Sequence, residues 1–394
     1  MRRLAKFLGW VIASAFALAA IGLILFFIFA PGKVDAQRNP VIAHDPYVIS
    51  DQAQALHDTL IVGDLHADPT LWKRDLLVRN DHGHVDIPRL IEGNVALQVF
   101  TAVTKSPADL NYEANDANAR DNITLLAMGQ LWPKRTWNSI YQRAIYQADK
   151  LHQFAERSDD TLRVITSRAE LDQLLADRAA GHNVVGGFLG IEGSHPLEGD
   201  LSNLDGIMAA GHRVIALQHF FDNKLGGSLH GTGFLGLTDF GRQVVQQVEQ
   251  RGLILDVAHS STGVVRDILA MTDMPIILSH TGIYSHCPSR RNIPDDLMRA
   301  VAQKGGVIGI GFWADVTCDA SPGGIADAII AAITLVGVDH VALGSDFDGT
   351  VTTMLDASEL AAITQALLDR GQSETAIRKV MGENMVRVFR ARLD

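Results

Sequence analysis

Six short apolar runs in this chain each end in or beside a residue that can bind a metal or move a proton. They are Leu60–Leu65 before His66 and Asp68, Gly186–Ile191 before Glu192, Val214–Gln218 before His219, Leu253–Ala258 before His259, Ile276–Ser279 before His280, and Val341–Ser345 before Asp346. Imidazole nitrogens and carboxylate oxygens are donors for divalent metals. His66-Ala67-Asp68 offers one of each, and His259 and His280 stand at the ends of consecutive runs. Glu192 adds a carboxylate that can bridge two ions. Five such groups suit two ions sharing Glu192, and an ion pair about 3.5–4 Å apart can activate a bridging water and polarise a carbonyl.

Taken singly, each residue has a plainer reading. A His-x-Asp triplet is common, Gly190-Ile191-Glu192-Gly193 could be a tight turn with a solvated glutamate, and a histidine on an apolar run more often bonds to backbone. Their convergence is what favours metal. Three further residues do not look like ligands. His219 could donate a hydrogen bond to a developing oxyanion, or be a structural imidazole. Arg290-Arg291-Asn292, in the loop after His280, could offer a guanidinium fork to a substrate carboxylate, or be a solvated charge run. Asp346 could act as general acid and base beside a metal-activated water, with Asp348 a structural carboxylate.

These residues need a scaffold that brings strand ends together. With Asn94–Thr101 and Gly305–Trp313 the apolar runs number eight. Eight parallel strands close a (β/α)8 TIM barrel, whose active sites form on the rim at the carboxyl ends of the strands. Helical spacing fills the intervals. Ser167-Arg168-Ala169-Glu170 reads as a capping box opening a helix, and Phe240–Gln250 and Pro294–Gln303 read as two more. The stretch from Pro107 to Asp160 has no run fit for a barrel strand and reads as insertion helices between the second and third strands.

Ahead of the barrel, Phe7 to Ala30 are apolar or small and come after Arg2, Arg3 and Lys6, enough to cross a hydrocarbon core of roughly 30 Å. The basic flank favours a cytoplasmic amino terminus, placing the chain beyond Pro31 on the exocytoplasmic side, the periplasm in a bacterium. A signal peptide cleaved near Val34-Asp35-Ala36 competes with an uncleaved anchor, but its apolar region would normally be shorter. The expected organisation is a transmembrane signal-anchor over 1–30, a linker over 31–46 and one catalytic domain over 47–394. A formal charge of −11 argues against a nucleic-acid surface, and two cysteines are too few for a disulfide scaffold or a cysteine-rich zinc module.

Together Gly63-Asp64-Leu65-His66-Ala67-Asp68, Gly190-Ile191-Glu192-Gly193, Gly236-Leu237-Thr238-Asp239-Phe240-Gly241, Leu255-Asp256-Val257-Ala258-His259, Ser279-His280, Arg290-Arg291-Asn292-Ile293-Pro294-Asp295-Asp296 and Gly344-Ser345-Asp346-Phe347-Asp348-Gly349 carry a specific resemblance. From about Asp51 to Phe389 the chain resembles the membrane dipeptidase (renal dipeptidase) family of zinc peptidases, peptidase family M19, on an amidohydrolase-type barrel. The resemblance implies two Zn2+ bridged by Glu192 and a hydroxide, one held by His66, Asp68 and Glu192, the other by Glu192, His259 and His280. It further implies that His219 steadies the tetrahedral intermediate, Arg291 binds the terminal carboxylate, and Asp346 handles the proton and the free amine. Cys287 and Cys318 fall where the mammalian members carry a disulfide, which an exocytoplasmic compartment permits. Those members are tethered at the carboxyl end, whereas no apolar tail precedes Leu393-Asp394 here, so tethering is assigned to the amino-terminal run.

The expected function is a zinc-dependent dipeptidase, tolerant of a D residue at the C-terminal position, with a homodimer permitted. Hydrolysis of another small amide or lactam by the same site is the nearest alternative, and a catalytically silent, membrane-tethered binding protein the more distant one.

Overall fold

The structure is a computed structural model that describes residues 2–233 and 235–394. Strands β1 (Val62–Ala67), β2 (Val95–Val103), β3 (Leu162–Val164), β4 (Val185–Glu192), β5 (His212–Ala216), β6 (Ile254–Asp256), β7 (Ile277–Thr281), β8 (Val307–Ile310) and β9 (Val341–Leu343) form one parallel sheet. Their order is β2-β1-β9-β8-β7-β6-β5-β4, and seven residue pairs between β2 and β4 close it into an eight-stranded barrel. Strands β1, β2 and β4 are buried along their whole length. That is why they read as continuous apolar runs rather than alternating ones.

The ninth strand, β3, is not among the eight expected. Its three residues, Leu162-Arg163-Val164, pair with Val185–Gly187 on the flank of β4 that β5 takes over from Leu189, so it lies outside the closed ring. So short a run carries no periodicity to detect. The barrel interior is filled by one residue or more from each of the eight strands, including Leu65, Leu97, Phe188, Val214, Ile254, Ile277, Val307 and Ala342. Met385 and Phe389 of the final helix, Asn384–Arg392, pack into the same cluster, with Phe389 edge-on to Phe188 at 4.7 Å.

Ser167 caps helix Arg168–Ala179 with both halves of the capping box in place. Thr238 accepts a hydrogen bond from Gly241 N to start Asp239–Gln250, and Asp295–Gln303 packs Leu297, Met298 and Val301 inward. Between β2 and β3 lie helices Asn122–Gly129, Arg135–Asn138 and Ile140–Arg157. The last of these buries Ala144, Ala148, Leu151 and Phe154, one helical face at spacings of three and four.

The amino-terminal helix runs from Arg2 to Arg38 and is long and apolar enough to cross a membrane. The segment read as a linker from residue 31 is therefore helical through Pro31 as far as Arg38. Docking explains the extra turns: Asp35 and Asn39 are buried, joined by a 2.8 Å hydrogen bond, and Arg74 Nε lies 2.8 Å from Asp35.

Candidate active site

His66 leaves β1 with Nε2 turned to the barrel axis, 3.6 Å from Asp68 Oδ1 and 3.5 Å from Glu192 Oε1. Glu192 ends β4. Its Oε1 also lies 3.2 Å from His259 Nε2 and 3.4 Å from His280 Nε2, while Oε2 lies 3.3 Å from His219 Nε2. The five expected ligand residues are thus brought together as two donor sets, His66–Asp68–Glu192 and Glu192–His259–His280, which share Glu192. A third set joins His66 and His280 to Asp346, whose Oδ1 is 3.9 Å from His66 Nε2, so this carboxylate also stands within ligand reach.

The donors are aimed by groups behind them. Ser279 Oγ lies 3.2 Å from His66 Nδ1 and 2.8 Å from His280 Nδ1. If both rings give their Nδ1 protons to that oxygen, both Nε2 lone pairs face the centre. Asp64, inside β1, accepts from Ser345 N and Oγ at 2.8 and 2.6 Å, binding β1 to the loop that carries Asp346. Asp256, inside β6, accepts from Ala258 N and Ser279 N at 2.9 and 3.0 Å, fixing the ends of β6 and β7 that present His259 and His280. His259 (φ 60°) and Asp346 (φ 61°) both take the left-handed backbone conformation. Such strain costs on the order of 1–3 kcal/mol per residue and gathers at functional sites.

Burial alone would lower the His66 pKa, yet Glu192 and then Asp68 raise it to about 10. Burial holds His259 and His280 well below the usual imidazole value, assisted by Arg291 for the first and by His66 and Arg291 for the second. Both rings are therefore neutral lone-pair donors. Glu192 and Asp346 are pushed up, by burial first, with nearby histidines opposing. Three buried carboxylates and four imidazoles converge, a donor set of the kind that holds divalent cations.

Above the donors is a cavity of about 290 Å3 lined by Glu192, His219, His259, Arg291 and Asp346, and closed by Leu110, Asn111 and Tyr112 of the insertion. Arg291 is buried. Its Nη2 donates to His280 O at 2.8 Å and its guanidinium lies 5.9 Å above the Trp313 ring. Among the described residues it has no carboxylate within 4 Å. His219 places Nδ1 3.0 Å from Lys105 O, which takes that proton and leaves Nε2 directed at the centre. Cys287 and Cys318 are bonded to each other, joining the loops after β7 and β8.

Asp64, Asp256, Ser279 and Tyr112 complete the site without standing out as site residues in the sequence. The two aspartates carry a signal, a carboxylate inside an otherwise apolar run, two or three residues before a histidine. Tyr112 carries none, because nothing local shows that the insertion folds back over the rim.

The family model described as membrane dipeptidase (Peptidase family M19) matches residues 50–393. Among solved structures, the chain is similar to the dipeptidase AC, a metallopeptidase of family M19, at 23% identity and a TM-score of 0.71, over 85% of this chain and 99% of that one. It is similar to the probable dipeptidase PvdM from Pseudomonas aeruginosa at 19% identity and a TM-score of 0.71, over 86% and 96%. A metallopeptidase from Rhodobacter sphaeroides, liganded with a phosphinate mimic of the dipeptide L-Ala-D-Ala, gives 22% identity and a TM-score of 0.68, over 85% and 99%.

Proposed function

The chain belongs to the membrane dipeptidase family, peptidase family M19, and we propose that it hydrolyses the peptide bond of dipeptides with two zinc ions at the centre built on Glu192. One juxtaposition carries the proposal: two donor sets sharing Glu192 open into the same small cavity as Arg291, a buried guanidinium with no carboxylate within 4 Å among the described residues. His66, Asp68 and Glu192 would hold one ion, and Glu192, His259 and His280 the other. When bound, the ions would activate a water and polarise the scissile carbonyl.

The protein's own groups bind and orient the substrate. Arg291 takes the terminal carboxylate as a charge-assisted pair in a site with little water. Asp346 faces the same cavity, where it binds the free amine and moves the proton from attacking water to leaving nitrogen. His219 donates from Nε2 to the developing oxyanion, and because Lys105 O holds the Nδ1 proton, that donation requires the imidazolium. A cavity of about 290 Å3 lies at the low end of ligand pockets, which run from about 300 Å3 upward, and this confines the substrate to two residues. Recognition by charge at both ends does not read the handedness of the C-terminal side chain. With the mimic of L-Ala-D-Ala bound by a relative, this supports tolerance of a D residue there. The amino-terminal helix is proposed as an uncleaved anchor that keeps the catalytic domain outside the cytoplasm.

The test is metal analysis of the full chain alongside hydrolysis of L–L, L–D and D–L dipeptides. Expected are two zinc ions per chain, turnover of L–L and L–D but not D–L substrates, and loss of metal with at least about a 10³-fold fall in kcat/KM in Glu192→Gln. A single ion at saturation removes the binuclear centre. Zinc bound without turnover of any dipeptide points to another small amide or to a silent barrel.

A further inference from the structure

The amino-terminal helix is locked to the catalytic rim. Arg74 lies 2.8 Å from Asp35 on the helix and 2.7 Å from Asp348 on the loop after β9, the loop that carries Asp346. Thr350 N donates to Asn39 Oδ1 at 2.9 Å. The side of the barrel that bears the site is therefore the side from which the apolar helix departs.

The domain also reaches down along that helix. Lys73 Nζ lies 3.4 Å from the carbonyl oxygen of Phe27, and helix Asn122–Gly129 packs against the amino-terminal helix. Between them is a cavity of about 710 Å3 lined by Phe26, Ala30, Leu125 and Leu126 together with Arg38 and Arg120. The 24 residues from Phe7 to Ala30 make an apolar helix about 36 Å long at about 1.5 Å per residue. A hydrocarbon core is about 30 Å thick, so the last turn stands in the headgroup layer. Parts of the catalytic domain that touch Phe26 and Phe27 must then stand there too.

The composition of that face agrees. Among the described residues after 50, seven large hydrophobic side chains are exposed, and four of them, Leu110, Leu125, Met128 and Leu131, belong to this one insertion. Leu125 and Leu131 are 55% and 56% exposed. Arg38, Arg120 and Lys73 border the patch against a single acidic residue of the cavity lining, Asp109, in a protein whose net charge is −11. Apolar side chains rimmed by cations are what a headgroup layer with anionic lipid accepts.

We propose that the catalytic domain is seated on the bilayer through the insertion around Leu125 and Leu131, so that the active-site mouth opens at the membrane surface rather than at the end of a free tether. The site cavity and the membrane-side cavity share Leu110 and Thr350, so the path to Arg291 and Asp346 begins beside the lipid. Substrates released at the membrane surface, such as fragments of membrane-proximal peptides, would then reach the site without first crossing bulk solvent. This rests on the helix being an uncleaved anchor.

The test places one fluorescent probe per molecule on the full chain in phosphatidylethanolamine–phosphatidylglycerol vesicles, at Leu125→Cys, Leu131→Cys or Asn183→Cys. Asn183 is exposed just before β4, at the opposite end of the barrel. Lipid carrying a headgroup nitroxide should quench the probes at 125 and 131 at least about twofold more strongly than the probe at 183, as expected for a surface held in the interface. A chain that pellets with the vesicles but shows equal quenching at all three positions overturns the seating and leaves the anchor standing. A chain that stays in the supernatant with its amino terminus near Gln37 overturns both.

Discussion

Asp346 and Asp348 stand on either side of Phe347, yet they enter two buried charged clusters that differ in how their charges are paired. Asp348 closes a paired set: Arg74 lies 2.7 Å away, His84 N and Val85 N donate at 2.8 and 3.2 Å, and its own N–H donates to His84 Nδ1 at 2.9 Å. Asp35 completes the set from the amino-terminal helix. Asp346 joins an open set in which burial first, then Glu192 and Asp68, raise its pKa against the opposing charge of His66, and in which Arg291 has no carboxylate within 4 Å among the described residues. Buried charge that is satisfied internally fixes structure. Buried charge left unsatisfied marks the place where metal and substrate complete the balance.

The largest predicted difference comes from exchanging the two carboxylates for amides. Asp346→Asn should lower kcat by roughly 10²–10⁴-fold with a smaller change in KM, because a proton-transfer group acts on the transition state. Its thermal stability should be unchanged or raised, since a costly buried charge is gone. Asp348→Asn should instead lose about 3–5 kcal/mol, the cost of breaking a buried ion pair and leaving Arg74 with Asp35 alone, as read by denaturant unfolding. Stability loss in the first variant and a pure kcat defect in the second would reverse the assignment.

How far these clusters can be read from sequence depends on the distance over which their partners meet. His66, Glu192, His259, His280 and Asp346 are legible because a closed parallel barrel turns every strand end into the same rim, so position at the end of an apolar run already implies proximity. Arg74–Asp35–Asp348 is not legible. Its members come from the amino-terminal helix, the loop after β1 and the loop after β9, and no periodicity links them. For the same reason the sequence indicates insertion helices between the second and third strands but not that Tyr112 roofs the site, nor that Asn122–Gly129 lies against the amino-terminal helix. Ser279 is inconspicuous because a serine inside an apolar run resembles filler until the two imidazoles are seen on either side of it.

A smaller effect sharpens the account of the open cluster. Arg291→Leu should reduce kcat/KM by about 10–10²-fold, the range for a hydrogen bond to a charged group at about 1.5–3 kcal/mol, with both metals retained. Replacing the substrate's terminal carboxylate by an amide should penalise the wild type and barely change the variant, since one interaction cannot be lost twice. Equal penalties in the two proteins would mean that Arg291 is charged for some other purpose.

The smallest effect concerns the covalent link between the two loops that hold Arg291 and Trp313. Closing a loop of 31 residues between Cys287 and Cys318 would stabilise by about 3–4 kcal/mol on chain entropy alone. Those loops are already joined without it. Asn292 Nδ2 donates to Cys287 O and Val316 O at 2.9 and 3.0 Å, and its Oδ1 accepts from Gly282 N at 2.7 Å. The paired change Cys287→Ser with Cys318→Ser should therefore cost only about 1–2 kcal/mol, below the entropic value, and leave KM near normal. Asn292→Ala should cost more, because it leaves two buried backbone groups, Val316 O and Gly282 N, without partners at about 1–3 kcal/mol each, and it should raise KM by freeing the segment next to Arg291. If denaturant unfolding ranks the two the other way, the disulfide rather than the asparagine holds the Arg291 segment in place.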